Sequence, residues 1–245
     1  MDYENSNRSD YIIEFKDVNF SYNRGKTILS TFNLKVKENQ FIAIVGESGS
    51  GKSTVLKLLQ GLYNDYRGQI LLNGIAINKY DLNALRSKFS YVSQENLLFN
   101  KSIESNIKLI KKNVTHDEYL DSVKFAKLDS LIDNPKSIKI VRNGCRLSGG
   151  EKQRISIAKA VLKDSGIFLL DEFTSALDKN TEEEIFNHFK KFIGKKTIIM
   201  VTHRLNYIEN ADCVIVIRDG QVVGYGTHKE LLSHNEYYKN LYRYK

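Results

Sequence analysis

The stretch Gly46-Glu47-Ser48-Gly49-Ser50-Gly51-Lys52-Ser53 constrains this chain more than any other part of it. It follows a solid apolar run, Phe41–Val45, of the kind that suits a strand buried on both faces. It precedes a helical pattern in which Val55, Leu58, Leu59 and Leu62 recur at i, i+3, i+4 and i+7. Strand, glycine-rich turn and helix in that order give the spacing G-x-x-x-x-G-K-[ST] the context it needs. Glycines at 46, 49 and 51 allow turns that a β-carbon would obstruct, so that several backbone amides can aim at one anion. The start of the helix adds its positive end. Lys52 supplies a mobile charge for β- and γ-phosphates, and the Ser53 hydroxyl a ligand for Mg²⁺. Glu47, Ser48, Ser50 and Thr54 complete the candidate nucleotide contacts. The pattern points to a nucleoside triphosphate without choosing among ATPase and GTPase families.

Around this loop, strand and helix patterns alternate. Residues 12–22 and 28–36 alternate apolar and polar, as half-exposed strands do, and 68–74 is a short strand bounded by glycines. Three further buried strands are predicted at 167–170, 197–201 and 213–217, with helices near 181–192 and 204–209 between them. This is the order of a mostly parallel sheet. The stretch from about 81 to 150 is richer in helix patterns, including a capping box from Thr115 to Glu118, and reads as an inserted helical subdomain. The end, 228–245, is predicted to be helical and to cover a sheet edge or pack on a partner.

The predicted strand Phe168–Leu170 closes on two carboxylates, Asp171 and Glu172. Ligands of open α/β sheets sit at the carboxyl ends of strands. Asp171 there can hold Mg²⁺, and Glu172 can reach the water beyond a γ-phosphate as a general base. Beside a phosphate loop this reading outweighs that of an ordinary acidic turn.

Bulk properties set bounds on the rest. The 245 residues, 41% hydrophobic, suffice for one large α/β domain, and 27% charge does not suggest disorder. No run approaches the ~18 apolar residues of a spanning helix, and the polar N-terminus does not read as a secretory signal, so a soluble chain is expected. Cys145 and Cys213 lie far apart and are expected to be reduced thiols. The net charge of +8 is spread along the chain and reads as a solvated lysine-rich surface.

The stretch Leu147-Ser148-Gly149-Gly150-Glu151-Lys152-Gln153-Arg154 resembles the signature motif of the ATP-binding-cassette ATPases, which usually reads LSGGQ. The resemblance runs from about Ile12 to the C-terminus. It implies that Tyr22 stacks on adenine, with a strand-face tyrosine as the lesser alternative. It implies that Gln94 touches Mg²⁺, the lytic water and a transmembrane partner, that Ser175–Asp178 is a loop crossing between subunits, and that His203 contacts the γ-phosphate. Taken singly, Gln94 and His203 would be surface or packed polar residues; their order relative to the stronger motifs favours function. Ser148, Gly149 and Gly150 open a second helix able to bind an anion. In the family that site serves the ATP of a second cassette, so two cassettes close head to tail around two MgATP. Two departures stand out. Glu151 replaces the usual glutamine, which predicts weaker closure, and 139–145 lacks the exporter-like Val-Gly-Glu sequence, with Arg142 near the glutamate position.

Residues 95–107 and 201–232 resemble exporter cassettes in particular. The expected organisation is a polar tail or linker at 1–10 and a cassette at 11–245. Within the cassette, a RecA-like phosphate-loop core with an antiparallel β subdomain covers about 11–80 and 155–245, and a helical subdomain about 81–154. The expected partners are a second cassette and a transmembrane domain, fused upstream or separate, with no direct nucleic acid; the expected location is the cytoplasmic face of a membrane. The competing readings are a soluble cassette ATPase acting on nucleic acid or ribosomes, and a nucleotide-binding regulator that does not hydrolyse.

Overall fold

The computed structural model describes residues 10–95, 97–132 and 147–243. Most of the expected tail, Cys145 and the 139–145 segment with Arg142 lie outside the described residues. In chain order the elements are β1 (Ile13–Ser21), β2 (Thr27–Val36), β3 (Phe41–Gly46), α1 (Lys52–Leu59), β4 (Tyr66–Leu72), β5 (Ile75–Ala76), α2 (Leu82–Ser87) and β6 (Phe89–Val92). Then follow α3 (Ile103–Lys108), α4 (His116–Phe125), α5 (Asp129–Ile132), α6 (Gly149–Lys163), β7 (Ile167–Asp171) and α7 (Lys179–Lys190). The chain ends with β8 (Thr197–Val201), α8 (Leu205–Ile208), β9 (Cys213–Arg218), β10 (Gln221–Gly226), α9 (His228–His234) and α10 (Glu236–Arg243). It divides into two compact units, residues 1–89 with 193–245, and residues 90–192.

In the first unit, β2-β1-β4-β5 form an antiparallel sheet, and β10-β9-β3-β8 lie side by side. β3 pairs parallel with both β8 and β9, and β10 returns antiparallel on β9. β3 is central because Phe41, Ile42, Ala43, Ile44 and Val45 are all buried, on both faces, as their unbroken apolar run requires. β10 is not among the strands expected from the sequence; its alternation of exposed and half-buried residues is that of an edge strand. The turn into it is tight. Gly220 has φ +76°, and a β-carbon there would lie 2.2 Å from the Ile28 carbonyl oxygen.

On α1, Val55, Leu58 and Leu59 are buried as expected, but Leu62 lies past the helix and is 47% exposed. The glycine at 61, with φ +62°, turns the chain before the fourth position of the stripe is reached. The C-terminal region forms two helices, because Asn235 leaves the helical conformation between α9 and α10. They cover a sheet face rather than an edge. Leu231 and Tyr238 join Ala43 and Val45 of β3 and Val214 and Val216 of β9 in one buried cluster.

In the second unit, β7 and β6 are neighbours, and α6 packs on α3 and α4. All of β7 is buried. Phe192 stacks on Phe168 at 5.2 Å and on Phe125 at 5.5 Å, ring planes within 15° in both cases. The capping box expected at Thr115 forms, with the Glu118 amide donating to the Thr115 hydroxyl at 3.2 Å and the Thr115 amide to the Glu118 carboxylate at 2.9 Å.

The contact at Gly220 sets a stability test. Gly220→Ala is expected to cost about 2–3 kcal/mol, from positive φ and overlap with backbone. Thermal unfolding should fall by roughly 5–10 °C; an unchanged Tm would mean the hairpin turn is not held against β2.

Candidate functional site

In the first unit, β3 delivers the chain into the loop 46–51 and α1 takes it out. Gly46, Gly49 and Gly51 have φ of +153°, +79° and +104°. At two of them glycine is also a steric necessity. A β-carbon on Gly46 would lie 2.2 Å from the Ile217 carbonyl oxygen, and one on Gly51 would lie 2.8 Å from Leu29 Cδ2. The loop is thus pressed against β9 and β2 by its own backbone.

The start of α1 differs from other helix starts in this chain. Side chains of Asp81, Ser102, Thr115, Ser148, Asp178 and Thr227 accept from first-turn amides of α2, α3, α4, α6, α7 and α9. Gly51 opens α1 with no side chain to do so. Orphan amides at a helix start need an acceptor, and here the fold supplies no capping side chain. Lys52 Nζ donates to the carbonyls of Gly46 at 3.0 Å and Glu47 at 2.7 Å. The Ser50 hydroxyl is buried without a hydrogen-bond partner. Glu47, Ser48 and Gly49 are exposed, Ser53 is half-buried and Thr54 buried. A backbone cradle, a lysine held on that cradle and an orphan hydroxyl fit a polyphosphate.

Tyr22 lies at the same end of α1. Its hydroxyl is 3.0 Å from Thr54 Oγ1, and its ring stands edge-on to Phe20 at 4.9 Å and Tyr63 at 5.1 Å. His203 follows β8, is exposed at the surface, and shares the lining of a small cavity with Gly46 and Tyr238.

The second unit carries the acidic residues and the signature. Asp171, 2% exposed, closes β7, and Tyr91 Oη lies 3.5 Å from its Oδ2. Glu172 then takes φ +45°, a left-handed conformation uncommon for glutamate and strained by about 1–3 kcal/mol. Gln94 Nε2 donates to Glu172 Oε2 at 3.3 Å, which brings two of the expected catalytic residues together.

What holds Glu172 in this conformation includes a residue that motif reading overlooked. Gln153 is fully buried; its Nε2 donates to the Glu172 carbonyl at 3.2 Å and the Ser175 hydroxyl at 3.3 Å, and its Oε1 accepts from the Ala176 amide at 2.8 Å. One buried amide thus fixes the chain after the strand. A sign was available, since Gln153 precedes the buried Ile157 by four residues and so falls on the apolar stripe of α6.

The signature residues open α6. Ser148 Oγ accepts from the Glu151 amide at 3.2 Å, and Glu151 Oε2 accepts from the Ser148 amide at 2.7 Å. Glu151 therefore closes a capping box, as the usual glutamine could also do. The two glycines answer to close packing as well as to open amides. A β-carbon on Gly150 would lie 2.9 Å from the Ala176 carbonyl oxygen, and one on Gly149 3.4 Å from Ala176 Cβ. Asp178 caps α7 by accepting from the Thr181 amide at 3.0 Å, and that bond holds its carboxyl below the usual carboxylate range.

Among the described residues no cluster of three or more His, Cys, Asp or Glu could hold a metal by itself. In the first unit Ser53 offers a hydroxyl oxygen, and in the second Gln94 and Asp171 offer amide and carboxylate oxygens; each is a hard donor of the kind that suits Mg²⁺.

A glycine cradle ahead of an uncapped helix, on the central strand of a parallel sheet, defines a phosphate-loop nucleotide-binding fold. The sequence profile described as ABC transporter matches residues 29–175, more than half of the chain. The chain belongs to the ABC transporter family. It is 41% identical over 233 residues to an ATP-dependent lipid A-core flippase of Neisseria meningitidis, covering 94% of this chain and 38% of the flippase. It is 40% identical over 221 residues to a heavy metal tolerance protein of Schizosaccharomyces pombe, covering 89% and 27%. A solved structure, a bacterial Atm1-family ABC exporter with ATP bound, superposes with a TM-score of 0.90 at 34% identity, covering 95% of this chain and 41% of that one. The chain therefore spans well under half the length of these relatives.

The capping box at the signature is open to measurement. Ser148→Ala removes the acceptor for the Glu151 amide and should cost about 1 kcal/mol in urea unfolding, while Ser148→Thr retains most of that stability. Equal stability of Ser148→Ala and the parent would show that the cap does not hold α6.

Proposed function

We propose that this chain is the ATP-hydrolysing cassette of a membrane exporter, acting as a head-to-tail pair around two MgATP. The observation that carries the nucleotide reading is the start of α1, where the loop amides and Lys52 are gathered and no side chain caps the helix. Export is supported by the relatives, which are a flippase and an exporter by name and are more than twice as long as this chain. A transmembrane domain, fused upstream or separate, accounts for the difference. Leu97 and Phe99, 84% and 61% exposed on the stretch after Gln94, suit an apolar partner surface of that kind. Among the described residues no helix is long and apolar enough to cross a membrane, which fits a division of labour with a membrane-spanning partner. The cassette then works at the cytoplasmic face of that membrane, and the transported substrate is chosen by the transmembrane part. None of the named relatives favours the alternative of a nucleic-acid or ribosome ATPase.

The mechanism is in-line attack of water on the γ-phosphorus, breaking its bond to the β–γ bridging oxygen so that ADP leaves, with positioning and charge neutralisation as the main contributions. Tyr22 packs against adenine. The amides of 46–54 and the Lys52 ammonium hold the phosphates, for which Lys52 leaves the Gly46 and Glu47 carbonyls. Ser53, Gln94 and Asp171 would hold Mg²⁺, which neutralises charge on the β- and γ-phosphate oxygens when bound. Glu172 polarises the water and accepts its proton, and Gln94, already bonded to Glu172, orients the pair. His203 contacts the γ-phosphate. Ser148, Gly149, Gly150 and Asp178 serve the nucleotide of the facing chain, and closure requires Glu151 to share the helix start with a phosphate.

Glu172→Gln is expected to bind ATP, to slow turnover by about 10²-fold or more, and to accumulate an ATP-bound pair on size-exclusion chromatography. An unaltered rate would remove Glu172 from the base role. The ATPase rate of the parent should rise faster than linearly with protein concentration in the dilute range; strict proportionality there would refute a site shared between two chains.

A further inference from the structure

α10 brings an unexplained tyrosine to the phosphate loop. The helix is firmly placed. Tyr238, 1% exposed, packs into the cluster over β3 and β9, with Leu241 and Tyr242 beside it. The Asn235 side chain accepts from the Tyr238 amide at 2.8 Å and donates to the Val223 carbonyl at 2.8 Å. Tyr238 Oη lies 2.7 Å from His228 Nδ1, and the Tyr242 hydroxyl donates to Glu209 at 2.9 Å. Tyr238, Leu241 and Tyr242 line one cavity with Gly46 and His203, so the helix abuts both the first residue of the loop and the expected γ-phosphate contact.

The neighbouring Tyr237 has no role in that packing that its hydroxyl would explain. The Arg218 guanidinium carbon lies 4.9 Å from its ring centroid, a cation–π contact that fixes the ring. The hydroxyl is buried and makes no hydrogen bond. It lies beside the amide and carboxylate of Glu47, and burial, then the Glu47 charge, push its pKa up. A buried hydroxyl without a partner calls for an explanation. Glu47 needs one too, as the one acidic side chain in a stretch built to receive anions.

We propose that Tyr237 is a positioning residue for nucleotide binding: its hydroxyl, unpartnered in the free chain, donates to the Glu47 carboxylate once the triphosphate is bound and holds that charge toward α10 and away from the phosphates. Like charges close together repel, so a carboxylate free to turn into the cradle would oppose the triphosphate. Lys52 adds to the coupling, since it leaves the Glu47 carbonyl to meet the phosphates. The inference rests on the reading of 46–54 as a triphosphate cradle.

The test is calorimetric titration of MgATP into the parent chain, Tyr237→Phe, Glu47→Gln, the double variant and Lys52→Ala. Tyr237→Phe should weaken binding roughly five-fold, the size of one net hydrogen bond. In the Glu47→Gln background the same substitution should have no effect. Because the hydroxyl is unpartnered, Tyr237→Phe should leave the Tm unchanged or raise it, which separates lost positioning from lost packing. Unaltered affinity in Tyr237→Phe, equal loss in both backgrounds, or a lowered Tm accompanying the loss would each overturn the proposal. Lys52→Ala tells the two levels apart. Normal binding by that variant sinks the cradle itself, whereas its loss together with an uncoupled Tyr237 and Glu47 sinks only the role of Tyr237.

Discussion

The structure depends on the start of α1, a helix opened by a glycine with no side-chain cap. The starts of α2, α3, α4, α6, α7 and α9 are sealed by their own serine, threonine or aspartate. At Gly51 there is no such side chain, and glycine is required there by the pressure of Ile28 and Leu29. The same absence of a β-carbon lets β2 close on the loop and leaves the helix start without a capping side chain, the setting in which a helix end binds an anion. Fold and binding site thus share one cause.

A second constraint organises the acidic residues. A buried strand ending in two carboxylates places one inside the protein, Asp171, and bends the next, Glu172, into a left-handed conformation. Such strain persists only where neighbours over-determine it. Gln153 supplies that determination, bonding to the Glu172 carbonyl, Ser175 and Ala176 at once. The signature helix therefore has a role within its own chain, beside the one proposed for it in a facing pair. Its first turns hold the backbone that aims Glu172, and its glycines make room for Ala176. A change in the seating of α6 would be felt at Glu172 through covalent geometry and three hydrogen bonds.

The Glu151 departure shows how a local rule and a functional demand can point in opposite directions. As a capping residue glutamate is a good choice, and its carboxylate closes the box with the Ser148 amide. As a neighbour of phosphate it is a poor one, because the same amide is wanted by the anion. In the pair proposed above, the first effect favours the single chain and the second opposes closure.

Much of the site is legible in the sequence because its parts are contiguous. The loop 46–53, the pair Asp171 and Glu172, and Ser148–Gly150 each carry their chemistry within a few residues, and the flanking periodicities place them on strand ends and helix starts. The buried strands are equally plain, since β3, β7 and β8 are apolar at every or nearly every position. Composition and spacing leave open the contacts between residues distant in the chain. Leu62 continues the stripe of α1 in sequence but falls beyond a turn at Gly61, and β10 hides behind an edge strand's mixed polarity. Gln153 clamping residues 172–176, Glu151 turned back on Ser148, and Tyr237 set against Glu47 across nearly the whole chain are decided by tertiary structure alone. The physical reason is that periodicity reports which face of an element meets an apolar interior, whereas a buried hydrogen-bonding group takes its meaning from whichever backbone the fold happens to bring within about three ångströms of it.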